Sequence, residues 1–213
     1  MMTNIQLDDQ EIEFLHLINT YRSQNNAPTL QISPSLTQAA DWMSTDMSTK
    51  NYFSHTDSTG RNPFTRMDDF GYRHNTWRGE NLAAGHPTAQ EAFNGWLNAC
   101  DPQDPNQPIV DCSQVDCTNL GCTFGHRENM RNPNYRVIGI SRHYDANSQY
   151  KWYWTTDFGG VIDSTINPTP GTVSVPQSNL QTQSGPRFNP WLIIFLVGLL
   201  ILLLLFIFFF LKR

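Results

Sequence analysis

Three short segments combine histidine or glutamate with tight-turn residues: Tyr52-Phe-Ser-His55, Gly79-Glu80-Asn-Leu-Ala-Ala-Gly85 and Gly125-His126-Arg-Glu-Asn129. They lie far apart in sequence, each where a turn or a helix edge presents side chains from backbone held on both sides. Two neutral imidazoles and one carboxylate suit a borderline divalent cation, zinc more than calcium, and three protein ligands leave open positions as catalytic rather than structural zinc sites do. His55, Glu80 and His126 are the residues that could form such a weak divalent-metal cleft if the fold brings the three segments together. The plainer alternative is that each histidine bonds its local backbone and that Glu80 accepts from amides of the Gly79 turn. A hydrolytic reading would have a metal-activated water near His55 and His126 attack an ester, peptide or phosphodiester, with Glu80 as general base. Against it, the chain has no HExxH helix, no GxSxG elbow and no cysteine outside one short insert, and Ser54 is merely the sequence neighbour of His55.

The elements that must position these residues read as follows. Residues 7–24 place Ile12, Leu15, Ile18 and Tyr21 on one helical face, with Asp8 and Asp9 available for the cap and first turn. Residues 35–50 repeat the pattern with Leu36, Ala39, Ala40, Met43 and Met47, and Pro34 suits a helix start. Asn62-Pro63 opens a short helix reaching about residue 70, and Thr88 with Glu91 forms a capping box ahead of Ala92, Phe93, Trp96 and Leu97. Residues 101–121, with three prolines, four aspartates and no basic residue, read as a loop. Residues 136–144 and 150–158 are aromatic and β-branched and read as two strands joined by the polar turn 145–149. Helices followed by strands predict a layered α+β domain.

The chain has 213 residues, a formal charge of -5 and 15% charged residues. Its mean hydropathy of -0.44 averages two materials. Residues 191–211 form an uncharged run of 21, almost all Leu, Ile, Phe and Val, which as a helix reaches roughly 30 Å, one bilayer crossing. Lys212 and Arg213 follow it as a basic tail on the cytoplasmic side. Residues 162–190, rich in Ser, Thr, Pro, Gln and Asn, read as a disordered linker. The expected organisation is thus a domain over 1–161, the linker, a transmembrane helix and the tail, with no N-terminal signal peptide visible. The acidic body lacks a basic stripe, which argues against nucleic acid as partner.

Cys100, Cys112, Cys117 and Cys122 fall in one stretch and are even in number. That pattern fits two local disulfides, with three pairings open, in an oxidising compartment. The rival, structural zinc, is disfavoured because the spacings lack CxxC knuckles. The domain is therefore expected outside the cytoplasm.

Taken in order, Asn19-Thr-Tyr-Arg22, the FSH of 53–55, RNPFTRM at 61–67, GENLAAG at 79–85, GHRENMRNPNYRVIGI at 125–140 and the W-x-x-D-F-G of 154–159 resemble the CAP superfamily, also called SCP/PR-1. The short GHR-x-N form is similar to its bacterial branch. The resemblance implies a three-layer α-β-α sandwich with a central antiparallel sheet, secreted or surface-exposed, and a cleft in which two histidines and one or two glutamates hold a divalent cation. His55, Glu80 and His126 match the histidine of FSH, the glutamate of GEN and the histidine of GHR. The second glutamate of eukaryotic relatives, three residues after the tryptophan of the next helix, is here Ala99, and Glu128, two residues from His126, points to a different face. The resulting expectation is a membrane-anchored extracellular module binding a lipid, peptide or envelope ligand, with the metal-dependent hydrolase as alternative.

Overall fold

The computed structural model describes residues 5–101, 108–114, 117 and 123–163. These belong to the first of two units of the chain, Met1–Val173; the second, Ser174–Arg213, lies outside the described residues. The expected membrane helix at 191–211, the basic tail and the linker beyond residue 163 are therefore not described. Among the described residues no helix is long and apolar enough to cross a membrane.

Helix α1 (Asp9–Gln24) begins at a full capping box: Asp8 accepts from the Gln10 and Glu11 amides, and Glu11 accepts from the Asp8 amide. Strand β1 (Gln31–Ile32) follows, then α2 (Pro34–Lys50), whose cap is Ser33 with Pro34 in the first turn. Helix α3 (Pro63–Asp69) is capped by Asn62, which accepts from the Thr65 amide. Strand β2 (Arg78–Ala84) precedes α4 (Ala89–Asn98), where Thr88 accepts from the Glu91 amide. Two-residue strands β3 (Ala99–Cys100) and β4 (Val110–Asp111) pair across the insert. Helix α5 (Gly125–Arg131) leads to β5 (Val137–Tyr144) and β6 (Trp152–Gly159).

The central sheet runs β1-β5-β6-β2. Strand β6 runs antiparallel to both of its neighbours, β2 and β5, as expected of a central antiparallel sheet, but the two-residue β1 runs parallel to β5, so the sheet is mixed at that edge. No hairpin dictates the direction of β1; it is the short link carrying the chain from α1 to α2, which sit on opposite faces. Alternation along β5 separates those faces. Ile138 and Ile140 join Phe14 and Ile18 of α1, Trp96 of α4 and Trp154 in one core, while Val137 packs with Leu36, Ala39, Met67 and Tyr72 in another. The fold is a mixed α+β domain with helices on both faces of one sheet. Gly139 lets α2 lie directly on the strand, since a Cβ there would sit 2.1 Å from the Leu36 carbonyl carbon.

Arg22 ties the two ends of the domain together. Fully buried, it donates to the carbonyls of Pro28, Met130, Asn132 and Tyr135. Burial pulls its pKa down to about 10, with Arg136 adding to the effect. The edge strand β2 is closed by side chains: Trp96 Nε1 donates to the Leu82 carbonyl at 2.8 Å and Asn129 Nδ2 to that of Glu80 at 3.3 Å. At the far end, Ser33 donates to Asp163 and Tyr72 to the Val161 carbonyl.

In the insert, Cys112 and Cys117 are bridged, with Cα atoms 5.6 Å apart. Cys100 is disulfide-bonded too, and none of the described cysteines is free. Their sulfurs are thus committed to disulfides rather than to zinc.

Candidate functional site

The loop bearing His55 leaves α2 through Asn51, which takes a left-handed conformation at φ 56°. Two carboxylates then fix its course. Asp46 of α2 accepts from the Tyr52 hydroxyl at 2.5 Å and from the amide and hydroxyl of Ser58 at 2.8 and 2.7 Å. Asp57 accepts from the amide and hydroxyl of Thr59 and the Arg61 amide on one oxygen, and from Arg61 Nε at 2.8 Å on the other. Burial works against both charges, but these hydrogen bonds outweigh it and hold both carboxyls below the usual range.

That loop brings His55, its side chain 53% exposed, onto Glu80, whose side chain is 2% exposed. His55 Nδ1 lies 2.6 Å from Glu80 Oε1. A carboxylate can only accept, so Nδ1 carries the hydrogen, and in the neutral ring Nε2 is the nitrogen with the lone pair. The other Glu80 oxygen is held by Arg66 of α3, fully buried, whose guanidinium also lies 3.8 Å from Asp57 Oδ2. Register sets the remaining neighbour: Glu80 on β2 stands directly opposite Asp157 on β6. Asp157 is fully buried, and among the described residues neither of its oxygens makes a hydrogen bond of normal geometry, Glu80 being the polar group it faces. Burial and the Glu80 charge push its pKa well above the usual range, Arg66 opposing.

His126 enters from the first turn of α5, where its carbonyl accepts from Asn81 Nδ2 at 3.0 Å. Its Nδ1 is buried without a hydrogen-bond partner, 3.8 Å from Asp101 Oδ2. Burial lowers its pKa, Asp101 pulls the other way, and the nearby His55 lowers it further. The structure therefore joins His55 and Glu80 directly and sets His126 within electrostatic reach of His55. Among the described residues, the one group of three or more His, Cys, Asp or Glu whose ligand atoms fall within 4.8 Å of one another is Cys100, Cys112 and Cys117. His55, Glu80 and His126 do not close around one point in this geometry. Ala99 ends α4, leaving no carboxylate there, and Glu128 pairs with Arg131. Asn81 and Asn129 brace the site through their amides, Asn129 Nδ2 also reaching Asn81 Oδ1 at 2.9 Å.

Sequence reasoning did not single out Arg66, Asp57 or Asp157. Arg66 and Asp157 do lie inside RNPFTRM and W-x-x-D-F-G, two of the segments whose order carries the resemblance.

The sandwich of helices about this sheet, with His55 on Glu80 and the asparagine braces of α5, defines a class. The chain belongs to the cysteine-rich secretory protein family: the family's CAP model matches residues 15–158. It is 31% identical over 150 residues to YkwD of Bacillus subtilis (strain 168), covering 70% of this chain and 47% of that protein. The crystal structure of an extracellular SCP-domain protein from Bacillus anthracis aligns at 26% identity and TM-score 0.51, over 70% of this chain and 39% of that one. An outer surface protein of Borrelia burgdorferi aligns at 20% identity and TM-score 0.53, over 73% of this chain and 96% of that one, a likeness of fold. The chain thus spans less than half of the two Bacillus proteins it matches.

The donor chemistry bears on a cation in one specific way. Glu80 has both oxygens occupied, and Arg66 already balances its charge. A carboxylate that accepts from the distal nitrogen of a ligating histidine orients that ring rather than binding the metal itself. The residues accordingly fit a two-imidazole site, His55 Nε2 with His126, whose buried Nδ1 is unpartnered, better than a three-ligand one.

Proposed function

We propose that this domain is an extracytoplasmic binding module, not a hydrolase, with a weak divalent-cation cleft at His55 and His126 that Glu80 orients. The observation that carries this reading is the locked Glu80 carboxylate, held between His55 and Arg66. A general base must reach the proton it takes, and a carboxylate whose side chain is only 2% exposed, with His55 on one oxygen and Arg66 on the other, is poorly placed to meet a bound water. A bound cation would supply Lewis acidity or a bridging contact to a ligand's oxygen atoms. His55 and His126 present the nitrogens; Arg66, Asp57 and Asp46 hold the loop and the strand that carry them. Extracytoplasmic placement is supported by the disulfides and by the Bacillus anthracis relative, described as extracellular. The apolar run at 191–211 would anchor the module to a membrane through its linker.

Calorimetric titration of the full chain with zinc, alongside ester, peptide and nucleic-acid substrate panels with and without chelator, tests the reading. Saturable zinc binding that disappears in the His55→Ala, His126→Ala double variant, with silent panels, is expected. Equal binding by the double variant removes the cleft, and turnover lost on chelation reinstates the hydrolase.

A further inference from the structure

We propose that the hollow walled by Phe64, Asn75, Thr76, Trp77 and Arg78 is a second ligand site, and that its ligand is a neutral oligosaccharide. The hollow has a volume of about 580 Å³, within the range of small-molecule sites. None of His55, Glu80 and His126 lines it. A neighbouring hollow of about 560 Å³ shares Asn75 and Arg78 with it.

Its apolar part is aromatic. Trp77 is 62% exposed and Phe64 45% exposed, and Trp77 has no ring partner among the described residues. Two large rings exposed in one hollow cost solvation without helping the core, unlike singly scattered apolar residues. The platform is also fixed before any ligand arrives. The Trp77 carbonyl accepts from Gly160 at 2.9 Å, the Thr76 amide donates to the His74 carbonyl at 3.0 Å, and Arg78 is registered opposite Gly159 in the sheet. The Arg78 guanidinium lies 5.3 Å from the Phe64 ring centre. A ring carried on fixed backbone has only its two side-chain torsions to lose on binding.

Charge chooses the class of occupant. Arg78 is paired with Asp68 at 2.7 Å, Asp69 with Arg61 at 3.1 Å, and Arg73 Nε donates to the Asp68 carbonyl. The walls therefore carry charges of both signs, largely paired, with no single-sign field to draw a polyanion or a polycation. What remains free is neutral hydrogen-bonding capacity: the Asn75 amide and the Trp77 indole N–H bond to none of the described residues. A ligand matching this hollow needs a flat face of C–H groups to lie on the rings and a rim of uncharged hydroxyl or acetamido groups for the amide and indole. Neutral sugars have both, whereas a fatty chain leaves the polar groups unmatched and an acidic glycan finds Arg78, the charged residue of the first hollow, already paired with Asp68.

This inference gives the binding-module reading a ligand class but uses no part of the cation cleft, so the two fail separately. The test titrates the full chain, in a micelle of a detergent without sugar headgroups and in chelator, with the neutral tetramer of β-1,4-linked N-acetylglucosamine. Cellotetraose, a heparin tetrasaccharide and decanoate serve as comparison probes. Saturable binding of a neutral tetramer is expected, weakened at least tenfold in Trp77→Ala and Asn75→Ala. Trp77→Phe should stay within about threefold, each tenfold step being one constant increment of binding free energy. Binding should be unchanged in the His55→Ala, His126→Ala variant. Because Trp77 is outside the core, unchanged thermal melting checks that the variants are folded. Absence of binding by both neutral tetramers, binding indifferent to Trp77→Ala, or a preference for heparin or decanoate overturns the proposal.

Discussion

Replacing Asp157 with asparagine keeps the shape of a protonated carboxyl and removes its ability to ionise. The wild-type side chain is fully buried opposite Glu80, with no hydrogen bond of normal geometry on either oxygen among the described residues, so an ionised Asp157 would set an unsolvated second charge against Glu80. Its native pKa is raised well above the usual range by burial and by Glu80, while in the unfolded chain an aspartate titrates near 3.9. Between those values the native state holds a proton that the unfolded state has lost. Wild-type stability therefore falls as pH rises through that window, by about 1.36 kcal/mol per pH unit for one proton. From pH ~4 to pH ~7 the ceiling is about 4 kcal/mol. Asp157→Asn lacks this linkage, so it should match wild type near pH ~4 and overtake it steadily toward neutrality. Urea unfolding followed by tryptophan fluorescence, in chelator across that range, gives the difference directly. A variant that is several kcal/mol less stable than wild type at neutral pH, with the gap closing in acid, would mean that Asp157 is ionised and paired with Arg66, and the reasoning would fail.

Arg66→Met leaves the buried Glu80 carboxylate without its guanidinium, while Asp57 keeps Arg61, and should cost about 3–5 kcal/mol in urea unfolding. Adding Glu80→Gln should recover part of that loss, as contacting residues in one network are not additive. Trp96→Phe keeps most of the packing but orphans the Leu82 carbonyl at the β2 edge; a loss of about 1–3 kcal/mol is expected, with faster hydrogen exchange along β2. Gly139→Ala drives a Cβ into the Leu36 backbone, and because a helix backbone cannot step aside as a side chain does, about 3 kcal/mol or more should be lost, visible as a collapse in soluble yield and melting temperature.

Much of the helical framework was legible because its starts are written in single residues. Asp8, Asn62-Pro63 and Thr88 each cap the helix they were expected to cap, and β5 and β6 follow from their aromatic and β-branched content. Strand β2 was not legible. Its RGENLAA sequence has little β preference and carries glycine, yet it is a full partner of β6 and is buried over five consecutive residues. Pairing and the Trp96 and Asn129 hydrogen bonds hold it, and these are tertiary facts. Helix α5 was hidden for a similar reason: it is seven residues long, and Phe124 at its cap makes no side-chain hydrogen bond. At the site, the meeting of His55 with Glu80 was anticipated through resemblance alone. The guanidinium that occupies the second Glu80 oxygen was not, because no spacing within RNPFTRM says which way a helical arginine points until the strand beneath it is known.

The strand order β1-β5-β6-β2 governs when this domain can exist at all. Both strands from the first half of the chain pair solely with strands from residues 137–159, and Arg22 needs carbonyls at 130, 132 and 135. A nascent chain emerging N-terminus first therefore carries helices with no sheet to pack on until more than two thirds of the polypeptide has been made. Such late, long-range closure makes folding slow. For a domain read as working outside the cytoplasm, the same delay keeps the chain loose enough to be threaded through a membrane before it locks.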